Sequence, residues 1–446
     1  TARGVLVKLL AGKQVLGKAE ARLVYESDEN PLFGVLSDSP SAFSLLSELD
    51  DMEEFTGPAS VAMLESATFP RRSQALEALD VIILCNTGST GGLSPEQVQA
   101  LQAWTADGGR LVVAGGPGWQ KTTAGLESSG LLPLIPTGDA VLTNLQPLLA
   151  ALRQGKNTTP FLETPIAGIV ITEGRLQPRA SLLAGESSTP LIAQMDYGAG
   201  RTYFLAFDPT LEPFASWDGM AAFYRQLLEK PLDQPTWLHG FQDWYLAQSA
   251  AQALPGIRLP SPWLIVSLLG LYTLVLGPAN YVLLRLLKRR ELGWVTIPVT
   301  VIVCATLVFV VGSLSRSGGA LVGRISIMQI WPGIENGRVH SLVSLYSPNR
   351  ATYEVQVSAP ALIHRIPIDP PAPNQELTTL QDDKGMQVSG LRLDSGSLAP
   401  LVVETIAPAP RLEVVSRLDV LNAQVLLSVR VKNLSDQDLQ MVVIHT

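Results

Sequence analysis

Apolar and polar residues alternate in "RGVLVKLLA" and "AEARLVYES", within residues 3–25, and this period of two predicts two strands. From residue 32 the pattern changes. "LFGVLS" reads as a short apolar strand, "PSAFSLLSEL" as a helix with Ser39 near its start, and "ALDVIILC" as a buried strand ending at Cys85. The next run, "LSPEQVQALQAWTADGG", carries helix punctuation. Ser94 is placed to cap, Pro95 opens the first turn, and Gln97 follows three residues after the cap. Val98, Leu101 and Trp104 fall on one face, and Gly108 and Gly109 stop the helix. "RLVVAGG" is the next strand. Further on, "PLIAQMDYGAGRTYFLAFDP" reads as two strands about a glycine turn, and "WDGMAAFYRQLLEK" as a helix with Met220, Phe223, Tyr224 and Leu227 on one side. Strands alternating with helices predict a mainly parallel sheet covered on both faces.

After residue 323 the period is two throughout. "GRISIMQIW", "RVHSLVSLYS", "ATYEVQVSA", "LVVETIAP", "RLEVVSRLDVLN" and "AQVLLSVRVKNLSDQDLQMVVIHT" alternate over short runs, with turn residues at Pro332-Gly333, Asn336-Gly337 and Pro348-Asn349, and "VRVKNLSDQDLQMVVI" reads as a hairpin. These predict an antiparallel β-sandwich, Ig-like in broad shape. His340, His364 and His445 lie on separate segments and are read as unrelated surface or core positions.

Between the two regions the alternation vanishes. Trp263 to Leu284 carries no formal charge, and neither does Trp294 to Leu314. A helix over the first run is about 33 Å long, enough for a hydrocarbon core of about 30 Å. The short loop between them carries Arg285, Lys288, Arg289 and Arg290, so it is expected on the cytoplasmic side. Trp263 and Trp294 then fall at opposite interfaces. Gly270, Gly277, Pro278 and Asn280 interrupt the first run and are expected to serve helix packing. No acidic residue lies within either run, which argues against an ion path. Upstream, Leu238, Phe241, Trp244, Tyr245 and Leu246 recur with roughly helical spacing. They predict a helix on the membrane surface or the last helix of the preceding domain.

Composition follows from this organisation. Only 16% of the 446 residues are charged, and the two uncharged runs explain the deficit. The net charge of −8 gives no reason to expect a nucleic-acid partner. The two cysteines, Cys85 and Cys304, form no C-x-x-C and no Cys/His cluster. No cofactor or metal is expected. The chain begins and ends inside strand-like runs, so residues are expected beyond both ends.

"ALDVIILCNTG…LSPEQVQALQAWTADGGRLVVAGG", followed by "GAGRTYFLAFDP", resembles the class I glutamine amidotransferase-like fold in the versions found in bacterial membrane-anchored proteins. "LYTLVLGPANYVLLRLLKRRELGWVTIP" resembles the helical hairpin of the same membrane family. The resemblance covers about residues 30 to 320. It implies a flavodoxin-like/amidotransferase-like sheet, and the catalytic pattern can be compared with this sequence. Such an enzyme needs a cysteine nucleophile on a tight turn after a strand, activated by a histidine. Where that turn falls, after "RLVVAGG", stand Gly116, Pro117, Gly118 and Trp119. The first histidine in the chain is His239, beyond the domain. Cys85 ends an earlier strand and is read as a small buried hydrophobe. Ser89, Ser128 and Ser129 lack a G-x-S-x-G elbow. "GSTGG" matches no phosphate-binding motif. Asp38 and Asp208 at strand ends suit capping and turns. Asn86, Gly116 and Asp208 mark the candidate ligand pocket.

The organisation expected is therefore 1–26, the end of a β-module; 27–232, the amidotransferase-like α/β domain; 233–262, a linker; 263–314, a transmembrane hairpin; and 315–446, the β-sandwich. The function expected is that of a non-catalytic scaffold, binding module or accessory subunit in a bacterial cytoplasmic membrane, with both large domains outside the cytoplasm. Its expected partners are the lipid bilayer and other membrane or envelope proteins. The alternative is a hydrolase using carboxylates at the strand ends.

Overall fold

The computed structural model describes residues 4–11, 14–22, 27, 29–49, 57–87, 92–143, 148, 168–228, 238, 240–241, 243–252, 262–288, 290–315, 319–357, 361–366, 378–382, 385–421, 424–436, 438 and 440. It forms two compact units. One comprises Thr1–Leu238 with Trp331–Ile334 and Pro410–Thr446; the other comprises His239–Ile330 with Glu335–Ala409.

The first unit is built on a seven-stranded sheet. Its strands are β3 (Leu32–Ser37), β4 (Ser60–Leu64), β5 (Val81–Cys85), β6 (Arg110–Ala114), β9 (Ser181–Glu186), β10 (Thr189–Tyr197) and β11 (Gly200–Leu205). In space they run β4-β3-β5-β6-β11-β10-β9. The first five are mutually parallel, and β10 and β9 are antiparallel additions. Every residue of β5, β6 and β11 is buried, as a parallel sheet covered on both faces requires. On one face Ile82, Leu84, Leu111 and Val113 meet Val98, Leu101 and Trp104 of helix α1 (Pro95–Ala106). On the other, Val81, Ile83, Val112 and Tyr203 meet Phe43 and Leu46 of the segment 40–48 and Met220, Phe223 and Tyr224 of a later helix.

The local signals of α1 hold in atomic detail. Gln97 N donates to Ser94 Oγ, and Ser94 N donates to Gln97 Oε1, a complete capping box. Pro40–Glu48 is a 3-10 helix rather than an α-helix, and Ser39 makes no side-chain cap. Alternation also missed the pair β7 (Leu134–Leu142) and β8 (Ile169–Leu176), antiparallel and separate from the main sheet. Two ribbons complete this unit: β1 (Gly4–Ala11) with β2 (Gln14–Arg22), and β19 (Leu412–Leu421) with β20 (Gln424–Asn433). Thus β19 and β20 form a two-stranded sheet of their own instead of extending the C-terminal sandwich.

The second unit has a β part of two antiparallel sheets. One runs β12 (Leu321–Gln329), β13 (Asn336–Ser347), β18 (Ser397–Pro408), β15 (Ala361–Arg365); the other runs β14 (Ala351–Val357), β17 (Gly385–Leu393), β16 (Thr378–Asp382). Leu345, Ile363, Leu401 and Val403 from the first share one core with Val388, Leu391 and Leu393 from the second.

The helices, in chain order, are α1, α2 (Trp119–Thr123), α3 (Met220–Leu228), α4 (Trp244–Gln252), α5 (Pro262–Leu274), α6 (Asn280–Leu286) and α7 (Gly293–Ser315). Helix α4 packs Ala247 on Leu342 and Val402 of the four-stranded sheet, a seat the sequence reading did not offer. Tyr245 and Leu246 remain exposed.

Helices α5, α6 and α7 form the apolar hairpin, with two stretches, Val266–Leu286 and Gly293–Val310, long and apolar enough to cross a membrane. A π-helical turn, Val275–Ala279, joins α5 to α6 and contains Pro278. Proline lacks the N–H that an α-helix needs, and a widened turn absorbs the missing bond. Asn280 lies among the less exposed positions Tyr272, Leu276 and Leu284. Gly270 and Gly277 do not: a Cβ at either would stand in open space. Neither glycine therefore meets a neighbouring side chain among the described residues. Arg285, expected in the connecting loop, lies exposed in the last turn of α6, and Lys288, which follows that helix, is exposed with φ of 53°. A 3-10 turn begins at Arg290, and Arg289 lies outside the described residues.

Candidate functional site

Ser37, Cys85, Ala114 and Leu205 are register partners across β3, β5, β6 and β11, so these four parallel strands end flush. The residues that follow make the C-terminal edge, where parallel sheets present ligands. The structure brings Asn86, Gly116 and Asp208 together there. A Cβ on Gly116 would lie 2.7 Å from Asp208 N, and one on Gly118 would lie 2.9 Å from Asn86 Oδ1. Gly116 also has φ of 75°, the left-handed region that glycine enters freely.

The edge is closed by its own hydrogen bonds. Gly116 N donates to Thr172 Oγ1 at 2.9 Å, and Thr172 N donates to Ala206 O at 2.7 Å. Asn86 N donates to Thr122 Oγ1 at 2.8 Å, while Asn86 O accepts from Asp38 N at 3.2 Å. Asn86 has φ of 46°, and its buried Oδ1 has no hydrogen-bond partner among the described residues. Gly88 to Gly91, most of the glycine-rich loop, lie outside the described residues.

Asp208, which is buried, does more than cap. Its Oδ1 accepts from Thr210 N at 2.8 Å, from Thr210 Oγ1 at 2.6 Å and from Cys85 Sγ at 3.3 Å. Burial first, and then the Asp208 carboxylate, push the Cys85 thiol well above its ordinary value. Cys85 is therefore a neutral donor and not a thiolate, and only the thiolate is a competent nucleophile. Burial likewise raises the Tyr224 hydroxyl, with Cys85 and Asp208 adding to it. In a Cys304→Ser background, Cys85 is expected to react with a maleimide only after denaturation. Labelling of the native protein at the denatured rate would show an accessible thiol instead.

The β-rich unit holds a second polar cluster. His340 and His364, expected to be unrelated, both approach Glu404. Glu404 accepts from Arg338 Nη2 at 2.8 Å and from His364 Nε2 at 3.2 Å, and His340 Nδ1 lies 3.9 Å away. The reason is register: His340 and Glu404 are direct partners across β13 and β18, and His364 pairs beside them with Val402. Burial works to raise the Glu404 carboxyl, but the hydrogen bonds from His364 and Arg338 and the Arg338 charge hold it at about 2. The overlooked signal was Glu404 itself, a carboxylate in an otherwise apolar strand, which requires a partner. His239 and His445 lie outside the described residues. Among the described residues no group of three or more His, Cys, Asp or Glu is arranged to hold a metal ion.

No family model and no curated protein matches the chain. Among solved structures, a cytoplasmic protein from Salmonella typhimurium LT2 is 17% identical, with a TM-score of 0.30 over 51% of this chain and 95% of that one. A second Salmonella typhimurium cytoplasmic protein is 14% identical, with a TM-score of 0.30 over 51% and 94%. A cold-adapted β-galactosidase from Rahnella sp. R3 is 11% identical, with a TM-score of 0.27 over 84% and 41%. Scores this low carry neither a fold nor a function to this chain.

Proposed function

We propose that this chain is a non-catalytic, membrane-anchored protein of a bacterial cell envelope, acting as a scaffold, a binding module or an accessory subunit of a membrane complex. The observation that carries this reading is the state of the strand-end site. Gly116, Pro117 and Gly118 occupy the turn where an amidotransferase-like domain would place its nucleophile; Asp208 crowds Gly116, and Thr172 crowds Gly115 just before it. Cys85, one strand away, is a buried neutral thiol tied to Asp208. The amidotransferase-like assignment draws support from the strand order: numbered from β3 along the chain, the five parallel strands run 2-1-3-4-5, the flavodoxin-like order. The two-layer antiparallel β part suits an Ig-like module. Arg285 and Lys288 support a cytoplasmic end of the hairpin, with the α/β domain and the β-rich domain that flank it outside the cytoplasm. On the hairpin, Gly270 and Gly277 leave open space where a partner helix could approach closely.

The hydrolase alternative needs a second carboxylate facing Asp208. Asp38, its sequence candidate, is exposed and reaches the site only through its backbone N–H to Asn86. Wild-type and Asp208→Asn chains should both fail to hydrolyse glutamine, ester and glycoside substrates above the buffer rate. Turnover by the wild type that Asp208→Asn abolishes would overturn the proposal. Extraction from native membranes should also yield a stoichiometric complex larger than the chain.

A further inference from the structure

His364 sits on the edge strand β15, whose only sheet partner among the described strands is β18. Both of its ring nitrogens face acceptors. Nε2 is 3.2 Å from the Glu404 carboxylate, and Nδ1 is 2.9 Å from the Arg365 carbonyl oxygen. A neutral imidazole carries one N–H and can satisfy only one of them, turning a lone pair on the other. The imidazolium donates to both. The bond to Glu404 is then a charge-assisted one, stronger than its neutral counterpart.

One residue past the strand, Ile366 packs with Ala247 of α4, Leu342 and Val402. The end of β15 is therefore part of the seat on which α4 rests. We propose that His364 is a proton-operated latch: protonated, it clamps β15 and the α4 seat onto the four-stranded sheet; when its proton passes to water, the clamp is released. Among the described residues Glu404 from β18 faces it, and Arg338 and His340 from β13 meet that same carboxylate. From β12, Gln329 is buried and uncharged. From residues 240–252, the described neighbours that pack towards this face, Gly240, Phe241 and Ala247, are uncharged. Asp243 is exposed and caps α4 through Leu246 N. Among the described residues Glu404 is the carboxylate that these side chains meet, and His364, at 35% side-chain exposure against 5% for His340, is the imidazole more open to solvent protons.

The test uses the full chain in phospholipid nanodiscs and hydrogen–deuterium exchange, corrected for intrinsic rates, at pH 6 and pH 8.5. These values bracket the ordinary imidazole titration near 6.5. Peptides covering 361–366 and 244–252 should lose about tenfold in protection at the higher pH, the size expected for losing one charge-assisted hydrogen bond. His364→Gln should abolish that dependence, and His340→Gln should keep it. Wild-type protection that does not change with pH, or a pH dependence that survives in His364→Gln, overturns the proposal. Should His364→Gln not fold, histidine 15N shifts of the wild type decide: His364 doubly protonated at pH 6 supports the latch, and a neutral ring at pH 6 overturns it.

Discussion

Replacing Glu404 with alanine is expected to destabilise the β-rich unit by about 3–5 kcal/mol, the range seen when one partner of a buried ion pair is removed. The Glu404 side chain is 12% exposed and that of Arg338 14% exposed, so neither charge can turn into water without moving the strands that carry them. Alanine removes the carboxylate that Arg338 Nη2 meets at 2.8 Å. Most of the loss is expected from that broken pairing, so Arg338→Met combined with Glu404→Met should recover a substantial part of it. The sign of the pH dependence follows. The carboxyl is held at about 2 in the folded chain, against about 4.3 when unfolded. Its contribution is full above pH ~4.3 and disappears as the pH falls from there through about 2. Wild type should therefore lose more stability than Glu404→Gln across that window. Unfolding of the two proteins in detergent, at neutral pH and at pH 3, measures both effects. A neutral-pH loss under about 1 kcal/mol would mean that Arg338 finds another partner.

The cluster also shows where sequence reading stops. Arg338 and Glu404 are 66 residues apart, and His364 and Glu404 are 40 apart. Cys85 and Asp208 are separated by 123. The hydrophobic pattern places Cys85, Arg338 and Glu404 in strands, but it does not say which strands are neighbours or in what register. The elements that were legible carry their signals locally. Ser94, Pro95 and Gln97 define the start of α1 within four positions, and β5 and β6 announce burial by unbroken apolar runs. β7 and β8 were not legible, because their pairing joins distant segments and Pro136 and Gly138 break the register. β15 was missed for its length, five residues. At the strand-end site the glycines were visible but their cause was not. Gly115 and Gly116 are needed because Thr172 and Asp208, from β8 and the end of β11, come within contact distance of any Cβ there.

The hairpin stands at the other extreme, since composition alone identifies it, and its predicted behaviour has the largest effect. Wild-type chain should resist extraction by alkaline carbonate, and a chain carrying both Leu274→Arg and Val303→Arg should not. The two positions are 56% and 57% exposed, near the middle of each apolar stretch, and neither stretch contains an acidic residue. An arginine at the centre of a span costs about 2.5–3.5 kcal/mol on insertion scales. Summing the two costs, the double variant faces about 5–7 kcal/mol. Either arginine alone can reach towards an interface, which predicts a partial shift for each single variant. The competing account is that the helices are core elements of a soluble assembly. A helix that is apolar all round suits both settings. They differ in what meets the outer surface. Trp263 and Trp294 are 81% and 89% exposed, and both apolar stretches expose many leucine and valine side chains. Lipid satisfies such a surface without specific contacts, whereas a soluble partner would have to enclose both helices along their length. Release of the wild-type chain by carbonate would decide for the soluble assembly, and retention that depends on Leu274 and Val303 decides for the bilayer.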